Sequence, residues 1–208
     1  MLHPKPFLVL SALLTGSVVN ALWPLPRSMS NGTTGLVLSS DFTIDVSGPN
    51  PDDLQAAIAR TLNYIQKDKH ERLVVGRGAV DAKAIESAKQ LPSLAVISKD
   101  SKTIAEEAIA PLGSRDESYV LSIPADGKPA TLSANSTLGL FRGLTTFSQV
   151  WYTHRSAVYT VQAPLTISDS PAFVRRSLIP SCFLNVDVLP VTALPRFHVG
   201  HRPQLLPR

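Results

Sequence analysis

The chain has 208 residues, 44% hydrophobic and 17% charged, a balance that fits one packed domain with short extensions and excludes a wholly disordered polypeptide. Its formal net charge is +4, yet residues 1–173 carry 15 basic and 15 acidic side chains, and the whole excess follows Phe173 as five arginines against one acid. A basic face on a folded domain is therefore missing, which argues against a nucleic-acid partner. The single cysteine, Cys182, rules out an internal disulfide, so stability has to come from a core and not from cross-links.

Lys5, an apolar run from Phe7 to Val19, and Val19-Asn20-Ala21 together read as a signal peptide over residues 1–21, with a buried N-terminal helix as the alternative. The run is shorter than the roughly 20 apolar residues a membrane helix needs, and no second run is longer. The mature chain is expected to be secreted, beginning near Leu22. Two N-x-[ST] sequons, Asn31-Gly32-Thr33 and Asn135-Ser136-Thr137, suit that route and make Asn31 and Asn135 candidate glycosylation sites.

Leu22-Trp23-Pro24-Leu25-Pro26 is extended, because its prolines forbid a helix. Leu36 to Leu38 and then Phe42, Ile44 and Val46 alternate with polar neighbours, as a half-buried strand does. A helix follows Ser47-Gly48-Pro49. Asn50 is placed to cap it, Pro51 suits its first turn, and Asp52 and Asp53 match the positive end of its dipole. Leu54, Ile58, Leu62 and Ile65 form its apolar stripe, and Leu73 to Val75 a short buried strand after it. Asp81 to Gln90 has the composition of a short helix and Leu94 to Ile97 that of a strand, whereas residues 101–109 carry no deciding pattern. Tyr119, Leu121 and Ile123 alternate, and Pro124-Ala125-Asp126-Gly127 turns them into a second strand, Ala130 to Ala134. A second amphipathic helix spans about Thr137 to Trp151, with Leu138, Phe141, Leu144, Thr145, Phe147 and Ser148 near one face. Gly139 and Gly143 on it predict close packing on a sheet. Tyr159 to Ala163 and Leu165 to Ile167 are the last strands. The fold class is α/β (α+β), with two main helices covering one face of a mostly antiparallel or mixed sheet.

Glu117-Ser118-Tyr119-Val120-Leu121, then Gly139-Leu140-Phe141-Arg142-Gly143-Leu144-Thr145-Thr146-Phe147-Ser148-Gln149, and finally Ile167-Ser168-Asp169-Ser170-Pro171-Ala172-Phe173 stand in an order and spacing that resemble the N-terminal domain of glycoside hydrolase family 20. These are the β-N-acetylhexosaminidases, and the start at Leu22-Trp23-Pro24-Leu25-Pro26 is similar to secreted, fungal-type members. The resemblance covers residues 22–173. It implies a zincin-like two-layer domain that is not itself catalytic and supports a following (β/α)₈ barrel. There an Asp-Glu pair uses the substrate's 2-acetamido group to cleave terminal N-acetylhexosamine from chitin oligosaccharides or glycans. It also implies a possible homodimer of the intact enzyme.

The likeness stops at Phe173. Arg176 and Leu178 fall in register with the family's sugar-binding Arg and its following apolar residue, while Ser177 stands where the family has Gly. Five prolines between Pro180 and Pro207 preclude a barrel in residues 174–208, which read as a disordered Pro/Arg-rich tail from a shifted frame or retained intron. The chain is therefore expected to be a truncated hexosaminidase, inactive alone, with a free-standing carbohydrate- or protein-binding module as the alternative. Such a module would stack sugars on Trp151 or Tyr152.

No residue earns a catalytic assignment. Asp116-Glu117 lacks the H-x-G-G-D-E setting of the family's catalytic pair and is expected to be solvated. His198 and His201 lack the i, i+4 spacing and intervening Glu of a helix-borne zinc motif, and Cys182 has no His partner. Gly76-Arg77-Gly78 is a plain turn without the third Gly or the Lys-Ser/Thr of a phosphate loop. Neither a metal nor a cofactor is called for.

Overall fold

A computed structural model describes residues 22–67 and 77–170. The expected signal peptide, the strand at Leu73 to Val75, Gly76, and everything from Pro171 onward, including Arg176, Cys182, His198 and His201, lie outside the described residues.

In chain order the elements are β1 (Ser28–Ser47), α1 (Asp52–Lys67), α2 (Arg77–Glu86), β2 (Lys89–Ile97), α3 (Ile104–Ile109), a 3₁₀ turn (Leu112–Ser114), β3 (Tyr119–Ile123), β4 (Ala130–Ala134), α4 (Thr137–Gln149), β5 (Tyr152–His154) and β6 (Ala157–Asp169). The six strands form one mixed sheet in the order β1-β2-β4-β3-β6-β5. β1 runs parallel to β2 and β2 parallel to β4, while β3 is antiparallel to β4 and to β6.

β1 is long enough to serve two partners. Its first half, Ser28 to Val37, pairs antiparallel with β6, and its second half, from Leu36, pairs parallel with β2. The β1–β2 register lapses between Leu38 and Thr43. On the β2 side the gap contains Pro92, which has no N–H to give a ladder. On the β1 side it frees Phe42 to turn inward, where it is buried and stacks on Phe147 at 6.0 Å.

The strands read as their sequences predict. In β3 and β4 every second residue is buried, Tyr119, Leu121 and Ile123 facing the core with Ala130, Leu132 and Ala134. The hairpin between them turns at Gly127, whose φ of +82° is costly for any residue with a Cβ. The opposite face mixes polar and apolar residues, with Val120, Ser133 and Ile97 lying side by side across three strands.

α1 buries Leu54, Ala57, Ile58, Thr61 and Ile65, and Leu62 is partly buried against the same core. Asn50 is not its cap. The first helical bond runs from Gln55 N–H to the Pro51 carbonyl, one residue later, while the Gln55 side chain donates to the Asn50 carbonyl. α4 packs on β3, β4 and α1. Its buried face is Leu140, Gly143, Leu144 and Phe147; Thr145 is exposed and Ser148 half-exposed, because the face rotates toward the two glycines. The expected helix at Asp81 to Gln90 begins earlier and ends at Glu86, since Lys89 and Gln90 are already paired with β1. α3 settles the undecided stretch through a capping box, Glu106 N–H donating to Thr103 Oγ1 and Thr103 N–H to Glu106 Oε2. The final two strands are one, β6, and β5 is an addition.

Candidate functional site

The sequence motifs converge where α4 lies across β3. Glu117, at the entry to β3, is 8% exposed and accepts a 2.7 Å charge-assisted bond from Arg142 Nε on α4. Two residues on, the Tyr119 and Thr146 hydroxyls share a 2.6 Å bond. Between these two polar links the helix comes very near the sheet. A Cβ on Gly139 would lie 2.4 Å from the Ser118 carbonyl oxygen, and one on Gly143 would lie 2.3 Å from Leu132 Cδ1. The E-S-Y-x-L and G-x-x-R-G-L-x-T-F strings are thus two halves of one helix-to-strand latch, paired Glu with Arg, Tyr with Thr, and Gly139 with the Ser118 backbone.

A second cluster surrounds the first turn of α4. The Ser136 hydroxyl caps the helix by accepting from Gly139 N–H at 2.8 Å. Glu107, from α3, accepts from Leu138 N–H at 2.6 Å and lies 3.1 Å from Thr137 Oγ1. A carboxylate suits this positive helix end, but burial raises the Glu107 pKa above the ordinary value, reinforced by the neighbouring Asp100 carboxyl. Asp100 moves the other way, chiefly because the Lys102 backbone N–H donates to it. Asp116 is also lowered, chiefly by the Ser118 hydroxyl, with Ser118 N–H and Asn135 Nδ2 also donating to it. These groups border a cleft of about 480 Å³ lined by Asp100, Lys102, Glu107, Arg115, Asp116 and Asn135, among others.

Asp116 and Glu117 point to opposite sides of the chain, as neighbours entering a strand do: Asp116 outward to Ser118 and Asn135, Glu117 inward to Arg142. The expectation that both are solvated is corrected for Glu117, which Arg142 draws into the helix-sheet seam. Among the described residues no group of three or more His, Cys, Asp or Glu side chains could hold a metal ion. Arg77 and Gly78 belong to the first turn of α2 and not to a turn after a strand; Gly78 packs on the His154 ring.

Trp151 does not present a sugar platform. It is 4% exposed, with its ring edge-on to Phe147 at 5.5 Å, and Tyr152 is half-buried in a tilted contact with Tyr159. Trp151 anchors the end of α4, so the module reading loses one of the two side chains it was built on, while Tyr152 packs on β6. Asn31 and Asn135 are both exposed. Sequence reasoning missed the Asp100–Glu107–Asp116 cluster altogether. One part of it was legible, since Thr103-x-x-Glu106 is the spacing of a capping box.

Residues 22–150 match the glycoside hydrolase family 20 domain described as "beta-acetyl hexosaminidase like". The chain belongs to that family. Among β-hexosaminidases, it is 36% identical to the mouse β-hexosaminidase subunit beta over 169 residues, which is 76% of this chain and 28% of that protein. It is 39% identical to β-hexosaminidase of Arthroderma benhamiae over 94 residues, 45% of this chain and 14% of that one. The solved structure of Flavobacterium johnsoniae chitobiase superposes on 73% of this chain and 21% of its own length, at 22% identity and a TM-score of 0.49. The chain thus spans less than a third of the length of each of these proteins. No helix among the described residues is long and apolar enough to cross a membrane.

Proposed function

We propose that this chain is the supporting N-terminal domain of a secreted, fungal-type β-N-acetylhexosaminidase, and that alone it is inactive. The observation that carries the reading is how the family motifs are used. Glu117, Tyr119, Gly139, Arg142, Gly143 and Thr146 hold α4 to β3 and to the sheet, so these six serve packing between helix and sheet. The domain's work is to present a rigid zincin-like body to a barrel that lies beyond it. In the intact enzyme the barrel would remove terminal N-acetylhexosamine from chitin oligosaccharides or glycans, by the substrate-assisted route of the family. Arg176 falls in register with the family's sugar-binding Arg but lies in the tail that a shifted frame would replace, and the intact enzyme would be a homodimer. Residues 1–21 serve as the signal peptide, and Asn31 and Asn135 as glycan acceptors on the secretory route.

Sequencing transcripts across the codon for Phe173 tests the truncation. Reads that continue in another frame into a barrel bearing H-x-G-G-D-E support it. Reads that all encode Val174 to Arg208 would refute it and leave a free-standing domain.

A further inference from the structure

The two sequons are not equivalent once the chain is folded. Transfer to asparagine has the amide Nδ2 attack the anomeric carbon of a polyprenyl-diphosphate-linked oligosaccharide. The bond from that carbon to the diphosphate oxygen breaks, the diphosphate leaves, and the amide gives up one proton. The transferase must grip the acceptor segment in an open conformation and read the hydroxyl two residues on. At Asn135 that hydroxyl belongs to Thr137, which is 0% exposed and donates to the Lys102 carbonyl at 2.6 Å. The middle residue, Ser136, is the α4 cap: its hydroxyl accepts from Gly139 N–H and donates to the Asp116 carbonyl. Asn135 itself accepts from Lys99 Nζ at 3.2 Å and donates to Asp116 at 3.4 Å. At the other sequon Thr33 is exposed, and the β1–β6 register lapses between Asn31 and Thr34.

We infer that Asn135 accepts a glycan only before α4 docks, so that its occupancy records how long the chain stays unfolded. The inference rests on the reading of Asn135 as an acceptor. A glycan added in time does not disturb the finished fold. Asn135 is exposed on the rims of two clefts, of about 480 and about 270 Å³, and its substituted nitrogen keeps one N–H for Asp116.

The test uses the full chain, made without glycans and offered to a purified oligosaccharyltransferase with its lipid-linked oligosaccharide. One sample is folded and one is freshly diluted from urea; a third is Gly139→Ala, whose new Cβ would meet the Ser118 carbonyl at 2.4 Å and raise the share of chains in which α4 is undocked. Mass spectrometry of deglycosylated peptides reads occupancy at each site. The expected result is at least tenfold more glycan at Asn135 in the unfolded and Gly139→Ala samples than in the folded one. Equal modification of the folded chain overturns the inference while leaving Asn135 an acceptor. No modification of the unfolded chain overturns both.

Discussion

Replacing Arg142 with Met keeps most of the side chain's length and removes its charge, leaving Glu117 in the seam between α4 and β3 without its partner. Removing one member of a fully buried pair costs about 3–5 kcal/mol. Glu117 is 8% exposed but the Arg142 side chain is 35% exposed, so solvent reaches the pair from one side and the loss should fall to about 2 kcal/mol. For a domain of this size that lowers the melting temperature by about 4–8 °C. Glu117→Gln should cost less, because a neutral amide can still accept from the guanidinium. In a double-mutant cycle followed by circular dichroism the two changes should couple by about 1–2 kcal/mol. Additive effects, or an Arg142→Met chain within 0.5 kcal/mol of the parent, would refute the assignment of this pair as the latch.

Gly139→Ala should destabilise by about 1–3 kcal/mol or more, whereas Gly113→Ala, with nothing within 4 Å of its Cβ, should be neutral or slightly stabilising; urea midpoints compare them. The pH dependence should split by site. Glu107 has a raised pKa in the folded chain, so its contribution is full below the ordinary carboxylate value and is lost as pH rises through the raised one. Relative to the parent, Glu107→Gln should therefore gain stability as pH rises above the ordinary carboxylate range. Asp116 is lowered, so its contribution is present above the ordinary value and fades as pH falls through the lowered one. The deficit of Asp116→Asn should accordingly shrink toward pH 3, and urea midpoints with the same slope for both variants would contradict these assignments. Trp151→Phe should cost about 1–2 kcal/mol in thermal unfolding through lost core packing and leave retention on chitin oligosaccharides unchanged.

Local pattern made much of this fold readable. The alternation in β3 and β4, the turn at Gly127 and the stripe of α1 each depend on residues near in sequence, and they stand where periodicity puts them. The gaps arise where a distant partner decides. β1 extends back to Ser28 because β6 pairs with it, and nothing in Ser28 to Thr34 has the alternation of a half-buried strand. The buried face of α4 is turned toward Gly139 and Gly143, residues without side chains that hydropathy cannot count as core. Trp151 carries an aromatic ring that suits a sugar or a core equally well, and only Phe147 and the sheet behind it decide. The same limit applied to Glu117, whose burial depends on Arg142, 25 residues away. The motifs were legible as a family signature before their physical purpose was, since a latch is a relation between strings and not a property of either.

On the proposed function these residues build a support and not an active site. Purified full-length chain should be incubated with a chromogenic N-acetylglucosaminide and release followed over hours, with and without an inhibitor of family 20 enzymes. No release above the uncatalysed background is expected in either sample. Steady turnover that the inhibitor abolishes would place a working site within these 208 residues and contradict that expectation.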